Sequence, residues 1–243
     1  MSWGPSKAPL RALFAACLLA SASAALADIL VVRSTGPSAK SFPPGKRIAE
    51  GSRVVLKAND SIDLLDGRGT RTLRGPGTFV AGAASGRTAS NVPVTQRRAR
   101  IGAVRSVGGG ELRPPSIWHV DVSKSSTYCV AEPKKLTLWR SDASGPATLN
   151  IVRASGGPAT RVNWEAGSST LAWPTSLAIT DNSEFRLSTA GVAAATSIKF
   201  RILPQPALGL ENMASFLLTN QCAAQLDMFI ETVRVPDDAP PAG

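Results

Sequence analysis

Apolar positions between residues 28 and 80 arrive in short bursts. Residues 29–32 form an unbroken apolar run, followed by Val54-Val55-Leu56, Ile62-Asp63-Leu64-Leu65, Thr70-Arg71-Thr72-Leu73 and Thr78-Phe79-Val80. Pro43-Pro44-Gly45, Glu50-Gly51, Asn59-Asp60, Asp66-Gly67 and Gly75-Pro76-Gly77 stand between them. Short bursts punctuated by turn residues predict a β-roll, barrel or small sandwich over 28–81. Asp63 alternates with Ile62 and Leu64, which places it on the solvent side of its strand.

Residues 82–115 change character. Small residues give way to Gln96-Arg97-Arg98-Ala99-Arg100, then to Gly108-Gly109-Gly110 and Pro114-Pro115. This composition predicts a loop-rich linker. Alternation returns at 117–122, 127–130, 136–139, 147–152, 161–164, 170–173, 184–187 and 197–202. Strands at this spacing predict an immunoglobulin-like β-sandwich over 116–203. The period then lengthens: Leu208, Met213, Phe216, Leu217, Cys222, Leu226 and Phe229 approximate one stripe of a C-terminal helix reaching residue 232. Residues 233–243 are rich in proline and acid and predict a disordered tail.

The first 27 residues read as an export signal. Lys7 and Arg11 supply positive charge, 10–19 is mostly apolar, and Ala25-Leu26-Ala27 fits a peptidase that leaves Asp28 as the new N-terminus. The apolar run is shorter than the roughly 20 residues of a membrane span. Retention as an anchor is the alternative. After Asp28 no segment is apolar enough to span. The expected location is the periplasm, an oxidising compartment. Cys129 and Cys222 then predict a disulfide closing a 93-residue separation. Such a link is worth about 4–5 kcal/mol in the chain-entropy treatment. No C-x-x-C pair points to redox chemistry.

Charge is uneven. The chain carries a net +10; residues 28–115 hold 15 basic and 6 acidic side chains, residues 116–243 hold 10 and 11. Outside the cytoplasm the partners for such a surface are an envelope protein or an anionic envelope polymer rather than nucleic acid. Arg68, Arg71 and Arg74 are the candidate binding residues. Arg68 falls in a turn, Arg71 shares a strand face with residue 73, and Arg74 ends the strand, so three guanidinium forks could meet an anion. The run Arg97, Arg98, Arg100 and Arg105 reads as a solvated loop.

Catalytic signals are sparse. The single histidine, His119, stands two residues before Asp121 on a predicted strand, where neighbours lie side by side instead of in a relay. No G-x-S-x-G elbow occurs. One histidine with two paired cysteines does not make a zinc site, and Asn59-Asp60 with Asp63 lacks the calcium-loop spacing. Gly67-Arg68-Gly69 and Gly75-Pro76-Gly77 lack a phosphate-loop lysine and read as turns. No cofactor is expected. Asp60, Asp63 and Asp66, and Asp181 with Glu184, are the acidic clusters from which a glycoside-cleaving pair would have to come. Trp118, Trp139, Trp164 and Trp173 lie at strand positions that suit a sandwich core, with Trp173-Pro174 the best candidate for an exposed platform.

The run Gly51-Ser52-Arg53-Val54-Val55-Leu56, with Ile62-Asp63-Leu64-Leu65-Asp66 and Gly69-Thr70-Arg71-Thr72-Leu73-Arg74-Gly75-Pro76-Gly77, resembles the FecR-like periplasmic domain. The resemblance covers residues 45–79. It implies a roll of short strands and glycine turns acting as an envelope sensor or scaffold module. Some such proteins signal to a sigma factor through a spanning helix and a cytoplasmic anti-sigma end; the reading here implies action on a membrane partner from outside instead. The function expected is an exported, non-catalytic interaction or sensor-accessory protein of the bacterial envelope. The alternatives are a binding module for anionic envelope glycan or lipopolysaccharide, and a hydrolase using an unrecognised carboxylate pair.

Overall fold

The computed structural model describes residue 1 and residues 28–82, 112–192, 194–203 and 209–235. The export signal, the arginine run at 97–105, most of the predicted linker and the tail beyond 235 lie outside the described residues. The fold is mainly β.

Six strands build the first unit: β1 (Asp28–Thr35), β2 (Arg47–Ala49), β3 (Arg53–Leu56), β4 (Ser61–Asp66), β5 (Gly69–Arg74) and β6 (Gly77–Val80). They form an antiparallel four-stranded sheet, β2-β1-β4-β5, and a β3-β6 ribbon. The ribbon covers one face of the sheet, where Ile29, Val31, Ile62 and Leu64 meet Val54 and Leu56. Leu30, Val32 and Leu65 point to the opposite face, and this is also buried. Burial on both faces is why 29–32 is continuously apolar. The β2 strand escapes sequence reading because Ile48 is its one large apolar residue, flanked by Arg47 and Ala49.

Eight strands build the second unit: β7 (His119–Asp121), β8 (Ser126–Val130), β9 (Thr137–Trp139), β10 (Ala147–Arg153), β11 (Thr160–Trp164), β12 (Thr170–Ala172), β13 (Glu184–Thr189) and β14 (Thr196–Ile202). They pair as a five-stranded sheet, β11-β10-β13-β14-β8, and a three-stranded sheet, β12-β9-β7. The β14–β8 and β7–β9 pairs are parallel; the others are antiparallel. Between the sheets Trp173, Phe185 and Phe200 pack edge to face, with centroids 4.9–5.8 Å apart. The layered, sandwich-like core follows from the alternation: Leu149, Ile151, Phe185, Leu187, Ile198 and Phe200 are each at most 1% exposed.

The C-terminal helix predicted as one piece is two: α1 (Leu210–Thr219) and α2 (Ala223–Thr232). The break is a helix-ending turn of the Schellman type. The Cys222 N–H bonds the Leu217 carbonyl at 2.9 Å and the Gln221 N–H bonds that of Leu218 at 3.1 Å, with Gln221 at φ 58°. Apolar spacing continues across the turn, so the stripe alone does not reveal it.

This helical hairpin sits between the two units. Leu30, Val32 and Leu65 of the first sheet, Ile117, Cys129 and Leu203 of the second unit, and Leu217, Phe229 and Ile230 of the helices share one core. Residues 233–235, assigned above to a disordered tail, instead pair with the edge of β5. The Thr70 N–H bonds the Val233 carbonyl, and the Val235 N–H bonds the Thr70 carbonyl, both at 2.9 Å. Gly69 makes room for them: at φ 134°, a Cβ there would lie 2.3 Å from the Val233 oxygen. No helix among the described residues is long and apolar enough to cross a membrane.

Candidate functional site

The three arginines nominated from sequence do not form one open cluster. The β4–β5 turn folds Arg68 back onto Asp66, with Nε and Nη2 at 3.2 and 2.9 Å from Oδ2. Arg68 also donates to the Gly82 carbonyl at 2.9 Å. Arg71 donates to the same Asp66 carboxylate and is largely covered. Burial alone would raise the Asp66 carboxyl; the Arg68 hydrogen bonds and the charges of both arginines outweigh it and hold the group below its ordinary range. Two guanidinium groups therefore hold one buried acid at the end of the sheet, Arg71 largely covered and Arg68 more than half exposed. Arg74 is exposed at the far end of β5, opposite Ser61.

The acidic clusters are divided among separate structural tasks. Asp60 accepts the Ser38 N–H at 2.8 Å and the Lys57 N–H at 2.5 Å. Asp63, expected in solvent, is 4% exposed. It accepts from Arg33 at 3.1 Å and from the Thr72 hydroxyl at 2.5 Å. The reason is α2, which covers this face of the sheet and adds Asp227 and Glu231 as further partners of Arg33. Arg234 closes the network, donating to Thr72 and through Nε and Nη2 to both Glu231 oxygens. Asp181 accepts the Ile202 N–H at 3.0 Å, and Glu184 the Ser197 hydroxyl at 2.6 Å.

A cleft of about 390 Å³ opens where the first sheet, α2 and the β7–β8 end of the second unit meet. Its rim alternates Arg33, Arg113 and Lys124 with Asp121, Asp227 and Glu231. His119 lies in its wall with Nδ1 3.0 Å from the Ser116 hydroxyl, whose oxygen also accepts the Trp118 N–H at 3.2 Å. That arrangement suits a neutral ring accepting the serine hydrogen at Nδ1. Burial pushes the His119 pKa down, against a smaller upward pull from the Ser116 backbone. Asp121 is turned to Ser123, accepting its N–H at 2.9 Å and its hydroxyl at 2.6 Å. Tyr128, the chain's single tyrosine, is pushed up to about 12 by burial, and its hydroxyl accepts the Asp121 N–H.

Cys129 and Cys222 are joined, with Cα atoms 5.9 Å apart. Both are buried, at 2% and 0% exposure, where solution thiols do not reach them. One helical turn on, Gln225 completes the junction. Its carbonyl accepts the Cys129 N–H at 2.6 Å; its amide donates to the Cys129 and Ile117 carbonyls at 2.9 and 2.7 Å. A side chain thus replaces the neighbouring strand that the edge of β8 lacks. Sequence reading missed Gln225, although a glutamine three residues after Cys222 stands on the helix's apolar face.

Trp139, Trp164 and Trp173 are buried at 3–6% exposure, so Trp173 is a core residue and not an exposed platform. Its Nε1 is satisfied by the Leu177 carbonyl at 2.7 Å. Trp118 is half-buried beside the cleft. Among the described residues no group of three or more His, Cys, Asp and Glu side chains could hold a metal ion. No family model, curated protein or solved structure matches the chain.

Proposed function

We propose that the chain is an exported, non-catalytic interaction module of the bacterial envelope, with a FecR-like first unit and an immunoglobulin-like second unit. It serves as a scaffold or sensor accessory to a membrane partner, acting from the periplasm. The observation that carries the reading is the buried Cys129–Cys222 pair at the junction of both units. A cross-link in that place belongs to a protein that folds in an oxidising compartment. It fixes the helical hairpin, and through it the relative placement of two β units, as a scaffold requires.

The side chains that would serve a hydrolase have other employment. Asp63 and Asp66 are bound to arginines, Asp121 to Ser123, and His119 to Ser116. The cleft rim, with its alternating charges, suits a dipolar surface on a partner more than a single-sign ligand.

The test is expression in a bacterium, fractionation and mass spectrometry of the intact chain. The reading expects a periplasmic form beginning at Asp28 with residues 129 and 222 linked. It also expects a photo-crosslinker at Lys124 or Met228, on the cleft, to trap one saturable partner. A cytoplasmic form with two free thiols overturns it.

A further inference from the structure

The solvent face of the five-stranded sheet carries a diagonal line of cations. Alternation sends Arg161 of β11, Arg186 of β13, and Lys199 and Arg201 of β14 outward, opposite the buried apolar positions. The register sets their order. Arg161 pairs with Asn150, which pairs with Ser188, so Arg161 stands level with Ser188. Arg186 is two residues further along β13. Lys199 pairs with Glu184, two residues further again, and Arg201 follows by the same step. Strand by strand the cations therefore advance in one direction, over roughly 25 Å at about 4.8 Å per strand and 3.4 Å per residue.

Arg186 and Lys199 make no ion pair or side-chain hydrogen bond among the described residues, in contrast to Arg68 and Arg71. The acids near the line are Glu184, which accepts the Ser197 hydroxyl, and Asp181, which lies 3.7 Å from Arg201. Two acids against four cations leave the line positive. Its lower end enters a polar recess of about 190 Å³ between the sheet and the α1–α2 turn, lined by Thr127, Lys199, Arg201 and Asn220. Beside the cations the face offers Asn150, Ser188 and Ser197, with Val152 next to Arg186, and beyond Arg161 it continues with the bonded pair Thr148 and Asn163.

We propose that this face binds a linear anionic polysaccharide, laid along the diagonal with one acidic group in the recess. Periodic negative charge matches the cation line, and sugar hydroxyls match the intervening amides and hydroxyls. Single-stranded nucleic acid needs aromatic platforms for its bases, and the sheet's aromatic side chains, Phe185, Phe200, Trp164 and Tyr128, are buried in the core. A bilayer surface needs several apolar side chains to insert, and Val152 is the one apolar residue at the outward positions of β10, β11, β13 and β14. The identity of the polymer as an envelope glycan rests on the export reading above; binding itself does not.

The experiment uses the purified, oxidised chain with polygalacturonate as probe, followed by calorimetry at rising salt. The expected result is saturable binding at low ionic strength that weakens steeply with salt. The double variant Arg186→Ser/Lys199→Ser should bind about tenfold more weakly, while Arg47→Ser/Arg53→Ser, with the same charge loss on the first unit, changes it less than about twofold. Unchanged melting temperatures certify both variants as folded. No binding at low salt overturns the proposal, as do equal losses in both variants. Equal affinity for dextran, for oligo-dT or for anionic phospholipid vesicles also overturns it. None of these failures touches the periplasmic form or the disulfide, which the preceding section tests separately.

Discussion

The sheet of the first unit and the five-stranded sheet of the second are built from strands of similar length, yet their charged residues behave in opposite ways. The first sheet is covered on both faces, by the β3–β6 ribbon on one side and the helical hairpin on the other. The acids Asp63 and Asp66 on its strands are therefore enclosed and paired, Asp63 with Arg33 and Asp66 with Arg68 and Arg71, while Arg47 and Arg74 stay exposed at its margins. The five-stranded sheet is covered across one face, and on the other only at β8, where the hairpin is cross-linked to it. Arg201 bonds Asn220 and Asn182 beside the helical turn, but Arg186 and Lys199 remain in water and keep no partner among the described residues. Open charge thus follows which sheet faces are covered, not segment totals. The segment with 15 basic and 6 acidic groups has two of its three nominated arginines bonded to a buried acid, while the segment with 10 and 11 displays the ordered cation line.

The hairpin makes this difference, so the strongest way to break the comparison is to loosen it. Replacing both cysteines by serine, Cys129→Ser/Cys222→Ser, should cost about 4–5 kcal/mol of unfolding free energy, measured by urea titration. A cost below about 1 kcal/mol would mean that the link closes nothing the fold does not already close. Gln225→Ala comes next. It leaves the Cys129 N–H, the Cys129 carbonyl and the Ile117 carbonyl without a partner, at about 2–4 kcal/mol.

Charge removal sharpens the contrast between the sheets directly. Asp63→Ala takes one of three acids from Arg33 and the acceptor from the Thr72 hydroxyl, and should cost about 1–3 kcal/mol, because the acid is enclosed although Arg33 is partly in water. Lys199→Ser should stay within about 0.5 kcal/mol, as a free surface charge does. Equal costs for the two would erase the distinction between a covered and an open face.

The smallest effect is in acid. Asp66 and Glu231 have folded pKa values lowered from the ordinary 3.8 and 4.5. For Glu231 the Arg234 hydrogen bonds are the main cause, against burial, with the charges of Arg234 and Arg33 adding to the lowering. A lowered folded value means that the stabilisation is present above the ordinary value and is lost as pH falls through the folded one. The urea midpoint should therefore decline below about pH 4.5, and Asp66→Asn should flatten part of that decline. His119, lowered from 6.5, adds an earlier decline that starts as pH drops past that value and disappears in His119→Gln. A midpoint constant from pH 7 to pH 3 contradicts all three assignments.

Most of the strands were legible in the sequence because turn residues and alternation are local signals. The runs at 54–56, 62–65, 147–152 and 197–202 fall within or closely match β3, β4, β10 and β14. The disulfide was legible from the cysteine count together with the expectation of export. What escaped depends on distant packing. Asp63 looked solvent-facing because alternation records a polar residue without saying what lies over it, and α2 is more than 150 positions away. Arg68 and Arg71 looked like a ligand site because nothing local to the turn shows Asp66 buried between them. The helix break at Gln221 leaves the apolar stripe intact. The cation line draws on three strands, and only the register of β10, β11, β13 and β14 aligns it. Gln225 was within reach: a polar residue at i+3 from a cross-linked cysteine, on an apolar helix face, asks for a buried partner.

The central claim is that the helical hairpin, held by Cys129–Cys222, covers the first sheet and joins it to the second unit. Hydrogen exchange followed by mass spectrometry, comparing the native chain with Cys129→Ser/Cys222→Ser, tests it most directly. The account predicts lost protection in α1, α2, β1 and β4 together, with β10 and β13 keeping theirs. Loss confined to β8, with the helices and first sheet unchanged, would contradict it.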